Sequence, residues 1–316
     1  MKIAFIVGEF PVVSETFVMN QVADLIDRGI DVEVFSLRAG KRENISERFF
    51  SYKMGTYTHY LNPPRNKVIR AIFLVKIFIR ILLWNSRIAF KALNKKKYGN
   101  FARTFTTLFW IEPFIGKNFD VVHCHLGPIA NKYLVMRDIL GHIQPFITTL
   151  YGVDVSRLPH IKPQGYYKKL IEACSLFLVM SENMKQRVIA LGFPEQKIKI
   201  HPISIDVQSY PFCERKPKEG EKVKLISVGR FVEKKGFDDL LQAVALVKEK
   251  TGSTFELSIV GDGPLKEKFL KLAKELTIED VVHFRGYMKL QEIIKLYKKS
   301  HLYIQSSKTA SDGDME

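Results

Sequence analysis

Cysteine is scarce in this chain, and its spacing argues against two kinds of site. The 316 residues include three cysteines, Cys124, Cys174 and Cys213, and no two of them form a CxxC pair. An odd number of widely spaced cysteines gives neither a disulfide framework nor a cysteine-based zinc site. We therefore expect the chain to work in a reducing cytosol.

Two further patterns are missing near the start of the chain. A dinucleotide-binding fingerprint after the first predicted strand, residues 2–7, would need G-x-G-x-x-G, and only Gly8 is present there. This argues against a nicotinamide or flavin enzyme. The first apolar run also meets Glu9, which is too early for a signal peptide or a membrane span.

Acidic residues are absent from one long segment, residues 65–111. Its eleven cations are Arg65, Lys67, Arg70, Lys76, Arg80, Arg87, Lys91, Lys95, Lys96, Lys97 and Arg103. On a single continuous helix, Lys76, Arg80, Arg87 and Lys91 would form one narrow basic stripe. Apolar residues fill much of the remaining circumference, partly toward a core and partly free to meet lipid: Phe73, Leu74, Ile77, Phe78, Ile81, Leu82 and Trp84.

This basic segment has three interpretations. A basic amphipathic helix with a tryptophan suits the surface of an anionic membrane, where each cation contributes about 1 kcal/mol. It would not cross the bilayer, because Lys76 and Arg80 interrupt the apolar run. A core helix with a solvated basic face is the structural alternative. Nucleic-acid binding is the third reading, but no recognised nucleic-acid motif accompanies the charge.

Apolar strands alternate with helical patterns along the chain. In the first part we predict strands at residues 2–7, 31–36, 120–123, 146–150, 176–180 and 198–201. Prolines, glycine and alternating charge then mark a linker at 206–222. The alternation restarts with strands at 224–228, 255–260, 281–284 and 302–305. The pattern predicts an α/β protein with two doubly wound domains, residues 1–205 and 223–316, and a ligand cleft between them.

The turn after residues 224–228 carries the strongest local signal. There Gly229 is followed by Arg230 and Lys235, and the next helical pattern begins at about Phe237. A second turn, Val260-Gly261-Asp262-Gly263-Pro264, follows the next strand. Cations beside the N-terminus of a helix favour an anion such as phosphate. Solvated loop charges are the alternative reading of the same residues.

These two turns, in this order, resemble the retaining family 4 glycosyltransferases of the GT-B fold. The resemblance implies two Rossmann-like domains, with Gly229, Arg230 and Lys235 at the diphosphate of a nucleotide-sugar donor. It also implies cell-surface polysaccharide biosynthesis, since the segment from Phe10 to Phe17 is similar to exopolysaccharide and lipopolysaccharide members. Electrostatic stabilisation of the leaving diphosphate by Arg230 and Lys235 would be the main catalytic effect.

The acceptor side is expected at strand ends in the first domain. The resemblance points to Gly8, His125, Tyr151 and Asp154 there; a histidine satisfied within its loop is the structural alternative for His125. His123 and His125 could be read as a metal pair, but no carboxylate cluster accompanies them, and we expect no metal site. Tyr151 occupies a position where many family members have histidine, and a tyrosine is a poor general base at neutral pH.

The end of the chain departs from the family. Relatives carry a second Glu seven residues beyond the first, whereas Glu316 is the last residue here. The resemblance therefore implies that Glu316 contacts the sugar and that the second domain is incomplete. A truncated product follows as an expectation, with strand 302–305 left as an exposed sheet edge. An inactive, membrane-bound remnant is the alternative function.

The resemblance implies the following activity and partners. The enzyme would move a sugar from a nucleoside diphosphate sugar to a lipid-linked or saccharide acceptor, with retention and without a cofactor or catalytic metal. Asp312-x-Asp314 lies in a terminal loop and is not expected to bind metal. We expect a location at the inner face of the cytoplasmic membrane, contact with its anionic surface, and no nucleic-acid partner.

Overall fold

The computed structural model describes residues 1–315 except 14, 42, 44, 204, 206, 208, 209 and 253. The chain divides into two compact units, residues 1–205 and residues 206–316, which we call the first and the second unit. Each unit is built around its own parallel sheet, with seven strands in the first and four in the second. The fold class is therefore α/β, as the alternation of strands and helices predicts.

The first unit has the strand order β3-β2-β1-β4-β5-β6-β7. The strands are β1 Lys2–Val7, β2 Asp31–Ser36, β3 Thr58–Tyr60, β4 Val121–His125, β5 Phe146–Thr149, β6 Leu176–Val179 and β7 Ile198–Ile200. All six strands predicted for this unit are present, with ends that differ by one or two residues. Strand β3 was not predicted, because its three half-buried residues contain no apolar run.

Helices cover both faces of this sheet. They are α1 Thr16–Asp27, α2 Glu47–Ser51, α3 Lys67–Trp84, α4 Ser86–Ala92, α5 Lys95–Arg103, α6 Thr106–Ile111, α7 Gly127–Leu140, α8 Gly152–Val155, α9 Leu158–Ile161, α10 Lys168–Ala173 and α11 Glu182–Ala190. Successive residues of β1 point to opposite faces. Ala4 and Ile6 join the core beneath α7, whereas Phe5 and Val7 join the core beneath α1. The unit is thus doubly wound.

The basic segment departs from its prediction. Helix α3 ends at Trp84, and Asn85, with φ of −160°, separates it from α4. The prediction of one basic stripe through Lys76, Arg80, Arg87 and Lys91 is therefore wrong, because the last two residues lie on a different helix. No helix in the described part of the chain is both long and apolar enough to cross a membrane.

The second unit has the strand order β10-β9-β8-β11. Its elements are β8 Val223–Val228, α12 Phe237–Thr251, β9 Phe255–Val260, α13 Lys266–Glu275, β10 Val282–Gly286, α14 Leu290–Tyr297 and β11 Leu302–Tyr303. Phe231, Phe237 and Phe269 contact one another at the centre of its core. Strand β11 lies at the sheet edge, and both of its residues are exposed, as predicted for the strand at 302–305.

Candidate functional site

In the first unit, polar side chains meet where β4 and β5 end. Nε2 of His123 and the hydroxyl of Thr149 share a hydrogen bond of 2.7 Å. Nδ1 of His125 and the hydroxyl of Tyr151 share another of 2.7 Å. Because β4 and β5 pair in parallel, His125 lies beside Thr149, and the loop after β5 brings Tyr151 over it. Both histidines are thus held by hydroxyl groups of the neighbouring strand and its loop.

Burial keeps these groups neutral. It lowers the pKa of His123 to about 3. Burial, with a smaller contribution from His123, also holds the pKa of His125 well below its ordinary value. The ring of Phe5 stacks on His125 at 5.3 Å between centroids. Burial likewise raises the pKa of Tyr151 above its ordinary value. This cluster can therefore donate and accept hydrogen bonds, but it carries no charge at neutral pH.

One atom of the cluster is unsatisfied. Among the residues that the structure describes, none hydrogen-bonds to Nε2 of His125, although the atom is buried. A buried polar atom without a partner costs about 1–3 kcal/mol. A hydroxyl group of a bound ligand would remove this cost. Gly8, also predicted for this side, follows β1 and is half-buried, with Ile129 as the nearest neighbour of an added side-chain carbon at 3.4 Å.

Asp154 is fully buried, and its contacts are internal. Its Oδ1 accepts hydrogen bonds from the backbone N–H of Gly127 at 2.9 Å and from the hydroxyl of Tyr167 at 3.1 Å. Its Oδ2 accepts one from the backbone N–H of Tyr151 at 2.8 Å. Burial raises the pKa of Asp154 to about 6, although these donors favour the charged form. The carboxylate ties the start of α7 to the start of α8, and direct contact with an acceptor stays a prediction.

Gly127 and Tyr167 are structural partners that sequence reasoning missed. A side-chain carbon added to Gly127 would lie 2.5 Å from Cε1 of Tyr167 and 3.0 Å from Oδ1 of Asp154. Only glycine therefore leaves room for the aspartate and the tyrosine together. The Gly127-Pro128 pair directly after β4 was the available signal, because this pair often opens a helix.

In the second unit, the two predicted turns are joined at the ends of β8 and β9. The N–H of Gly229 donates to the carbonyl of Val260 at 3.0 Å, and the N–H of Phe231 donates to the carbonyl of Asp262 at 2.9 Å. A side-chain carbon on Gly261 would lie 1.9 Å from the carbonyl oxygen of Gly229. The glycine at 261 is therefore needed for the close approach of the two backbones.

The two predicted cations flank Gly229. Arg230 follows it directly, is exposed, and has no ion-pair or hydrogen-bond partner for its guanidinium in the described part of the chain. The side chain of Lys235 runs beside Gly229, with Cδ 3.4 Å from the position of an added side-chain carbon. Gly236, with φ of 61°, then turns the chain into α12. Both cations thus belong to one turn around Gly229.

The N-terminus of α12 has acidic partners of its own. Asp238 and Asp239 stand in its first turn, and Nζ of Lys308 lies 2.9 Å from a carboxylate oxygen of each. These groups already complement the positive end of the helix. The prediction that this helix terminus attracts an anion is therefore weakened, and the anion-binding case depends on Arg230 and Lys235.

The segment after β11 packs on the same turn. The hydroxyl of Ser306 donates to the carbonyl of Lys235 at 2.9 Å, and the hydroxyl of Ser311 donates to Glu233 at 2.8 Å. Lys234 forms an ion pair with Asp314 at 3.3 Å. The predicted sugar contact Glu316 lies outside the described residues. Within those residues, no group of three or more His, Cys, Asp or Glu side chains could hold a metal ion.

Family profiles cover nearly the whole chain. Residues 14–209 match the profile described as Glycosyltransferase Family 4. Residues 212–313 match the profile described as Glycosyl transferases group 1. The boundary between the two matches falls close to the division between the two units.

Named relatives and a solved structure agree with these profiles. The chain is 30% identical, over 100% of its length and 78% of the relative, to the putative colanic acid biosynthesis glycosyltransferase WcaL of Escherichia coli. It is 29% identical, with the same coverage, to the amylovoran biosynthesis glycosyltransferase AmsK of Erwinia amylovora. The structure of Anabaena HepE with UDP and glucose is similar in fold, with a TM-score of 0.61 at 14% identity over 97% of this chain and 74% of HepE.

Proposed function

The chain belongs to the family 4 glycosyltransferases, and on this premise we propose that it transfers a sugar from a nucleoside diphosphate sugar in bacterial exopolysaccharide biosynthesis. The acceptor is lipid-linked or a saccharide, and the anomeric configuration of the sugar is retained. Relatives named for colanic acid and amylovoran biosynthesis support the polysaccharide assignment. The HepE complex with UDP and glucose supports a nucleotide-sugar donor.

One observation carries the proposal: the turn around Gly229 in the second unit. It brings two cations to the carboxyl end of β8, where parallel sheets of this kind bind their ligands. Arg230 has no protein partner in the described residues, and glycines keep the backbone around it compact. A nucleoside diphosphate is the natural complement, because its phosphate oxygens accept charge-assisted hydrogen bonds from arginine and lysine.

Chemically, the two cations act on the leaving group. Cleavage of the sugar–phosphate bond develops negative charge on the departing diphosphate, and Arg230 and Lys235 stabilise that charge. Positioned charges of this kind are commonly the largest single catalytic contribution. The reaction as proposed uses no cofactor and no catalytic metal, so the two side chains supply the neutralisation themselves.

On the acceptor side, we assign the substrate contact to His125. Its unsatisfied Nε2 can hydrogen-bond a hydroxyl of the acceptor, while Tyr151 holds Nδ1 and fixes the ring. Asp154 acts as a positioning residue, because its oxygens are bound to Gly127, Tyr151 and Tyr167. Gly8 lies at the end of the neighbouring strand β1 and leaves space there. We place the reaction at the inner face of the cytoplasmic membrane.

The test is nucleotide binding by calorimetry, with UDP and GDP. The intact chain should bind at least one of them. Arg230→Ala and Lys235→Ala should each weaken that affinity about 10- to 100-fold, the value of a charge-assisted hydrogen bond. Lys250→Ala is the matched control, since Lys250 is an exposed lysine near the other end of α12. NMR of the product reports whether the anomeric configuration is retained.

Two results would contradict the proposal. One is the absence of binding by any nucleoside diphosphate to a folded chain. The other is equal affinity in Arg230→Ala, Lys235→Ala and Lys250→Ala, which would mean that the turn around Gly229 holds only solvated charges. An unchanged turnover after EDTA treatment supports the metal-free reaction, and a loss that Mg²⁺ restores overturns that part.

A further inference from the structure

Helix α3 exposes an apolar face. Five aliphatic residues follow one another at intervals of three or four along it, and each is between 49% and 83% exposed: Val68, Ile72, Val75, Ile79 and Leu83. On a helix these positions fall within about 80° of one another, so they form one stripe. We call these five residues the outer stripe.

The opposite side of α3 accounts for its attachment to the first unit. Leu74, Ile77, Phe78 and Leu82 pack partly against the core, and Ile81 is the one fully buried residue among the eighteen of this helix, all of which the structure describes. A helix that is apolar on all sides is ordinarily buried or in contact with lipid. Packing against the core explains why one side of α3 is apolar. It does not explain why the outer stripe is apolar.

Other exposed aromatic residues lie on α3 and its neighbours, outside the outer stripe. Phe90 of α4 is exposed and contacts Phe78 edge to face, with ring centroids 6.4 Å apart. Arg70 of α3 donates to the carbonyl of Thr104 at 2.6 Å, which brings the exposed Phe105 close to the start of α3. Trp84 at the end of α3 is also about half exposed. Exposed apolar residues on α3 and its neighbours are thus more numerous than the five of the outer stripe, which is unusual for a surface facing only water.

Charge identifies the occupant. Residues 65–111 contain no acid, and four of their cations are engaged within the protein: Arg70 with the carbonyl of Thr104, Arg80 with Glu112, and Lys91 and Lys97 with Asp138. Others have no acidic partner among the described residues: Arg65, Lys67, Lys76, Arg87, Lys95, Lys96 and Arg103. A second copy of this surface would bring these charges together and be repelled. An apolar stripe bordered by free cations instead complements an anionic lipid surface.

Two other partners fit less well. Single-stranded nucleic acid binds to aromatic side chains on which its bases stack, whereas the outer stripe is made of branched aliphatic residues. A protein partner with an acidic rim would match the cations, but nothing in the structure shapes the stripe into a groove. A lipid interface requires only a flat apolar stripe at the level of the headgroups, and α3 supplies it.

We propose that the outer stripe of α3 is an interfacial docking surface that inserts into the headgroup region of an anionic bilayer. The helix lies parallel to the membrane plane, with its apolar side chains about 5–10 Å deep. Lys76 and Arg87 remain at the level of the lipid phosphates. The proposal deepens the membrane location given under the proposed function, and it names the residues in contact. They are not the basic stripe that the sequence suggested.

Vesicle flotation of the intact chain tests the proposal. The vesicles are phosphatidylcholine with or without about one third phosphatidylglycerol, and the chain should float with the anionic ones. Ile72→Gln/Ile79→Gln should weaken binding at least about tenfold through lost apolar burial. Lys76→Gln/Arg87→Gln should weaken it about fivefold for each charge removed. The matched control is Leu246→Gln/Val247→Gln, an exposed aliphatic pair on α12 that should bind as the parent does.

The outcomes separate the possibilities. Equal flotation of the Ile72/Ile79 variant and the Leu246/Val247 control overturns the proposal. A parent chain that is dimeric in ultracentrifugation, becomes monomeric in the Ile72/Ile79 variant and never floats identifies a second copy as the occupant and also overturns it. Competition by duplex or single-stranded nucleic acid at equal charge concentration does so as well. Flotation needs no nucleotide. A chain that fails to float but binds UDP or GDP therefore leaves the proposed sugar transfer standing. A chain that floats but binds no nucleotide supports the docking surface and contradicts the proposed sugar transfer.

Discussion

The two candidate sites, one in each unit, use polar residues in opposite ways. At the end of β4 and β5, the side chains of His123, His125 and Asp154 are buried and bound mainly to one another's strands and loops. At the end of β8, Arg230 is exposed and without a protein partner in the described residues, and Lys235 is half-buried beside Gly229.

This difference indicates what the polar interactions of each region contribute. A buried network of hydrogen bonds fixes the shape of its surroundings, because breaking one bond leaves another buried group unpaired. An exposed cation such as Arg230 stabilises the fold little by itself and remains available for an anion. The first region should therefore respond to substitution mainly in stability and orientation, and the second mainly in ligand affinity.

The largest effect on this comparison is expected from Asp154→Ala. Removing the carboxylate leaves the N–H groups of Gly127 and Tyr151 and the hydroxyl of Tyr167 unpaired in the interior. We expect the free energy of unfolding to fall by about 3 kcal/mol. Arg230→Ala should change it by less than about 0.5 kcal/mol, because Arg230 is exposed and lies away from the core. Urea denaturation followed by tryptophan fluorescence measures both, and a similar loss in the two variants would contradict the contrast.

A medium effect is expected at the opposite edge of the same sheet. There Glu33 binds Lys2 and His59 at 2.7 Å each, and also Lys117. Burial alone would raise the pKa of Glu33, but hydrogen bonds from Lys117, Lys2 and His59 lower it to about 2. Because the folded pKa is depressed, the stabilisation is complete above the ordinary value near 4.5 and is lost as the pH falls toward 2.

The corresponding variant is Glu33→Gln. At pH 7 it should lower the free energy of unfolding by about 2 kcal/mol, a value reduced for the partly exposed lysines. The difference from the parent should shrink steadily below pH 4.5. Urea denaturation at a series of pH values measures it. Glu249→Gln, at an exposed position on α12, is the control and should show no pH-dependent difference. A gap that widens toward low pH would reverse the assigned sign.

The smallest effect is expected from Tyr151→Phe. It removes the hydroxyl that holds Nδ1 of His125, so we expect a stability loss of about 1 kcal/mol. With His125 less well oriented, kcat/KM for the acceptor should fall roughly five- to tenfold. The affinity for the nucleotide should stay unchanged. Tyr151→His introduces the residue that the family resemblance implies at this position. This variant should keep kcat/KM for the acceptor close to that of the parent. A change in nucleotide affinity in either variant would contradict the expectation that the two candidate sites act independently.

Periodicity made much of the fold predictable. Short segments that are mostly apolar, such as residues 2–7 and 255–260, are typical of buried strands, and both strands are present. Strand β3 escaped because a three-residue edge strand with Thr58, His59 and Tyr60 carries no such pattern. The break at Asn85 also escaped, because helical spacing on both sides of it hides the interruption. Only the backbone geometry reveals that α3 and α4 are separate.

The sequence indicated the turns at which the candidate site lies, but not the hydrogen bonds and ion pairs within it. Local turns can be recognised from the sequence, as were the turn from Gly229 to Lys235 and the loop around Gly261. The bond from Asp154 to Gly127 joins residues 27 positions apart, and no local rule connects them. The same holds for the pairing of Lys308 with Asp238 and Asp239, which altered the expectation for the N-terminus of α12. The turns of the candidate site are thus easier to locate from the sequence than the distant residues that form hydrogen bonds and ion pairs with them.

The bracing of the turn by the segment after β11 has a further consequence. Ser306, Lys308, Ser311 and Asp314 all contact residues from Glu233 to Asp239, so hydrogen bonds and ion pairs hold these two stretches of chain together. Two of these links are ion pairs near the surface, which dissolved salt weakens. The strength of this bracing therefore depends on the ionic composition of the surroundings.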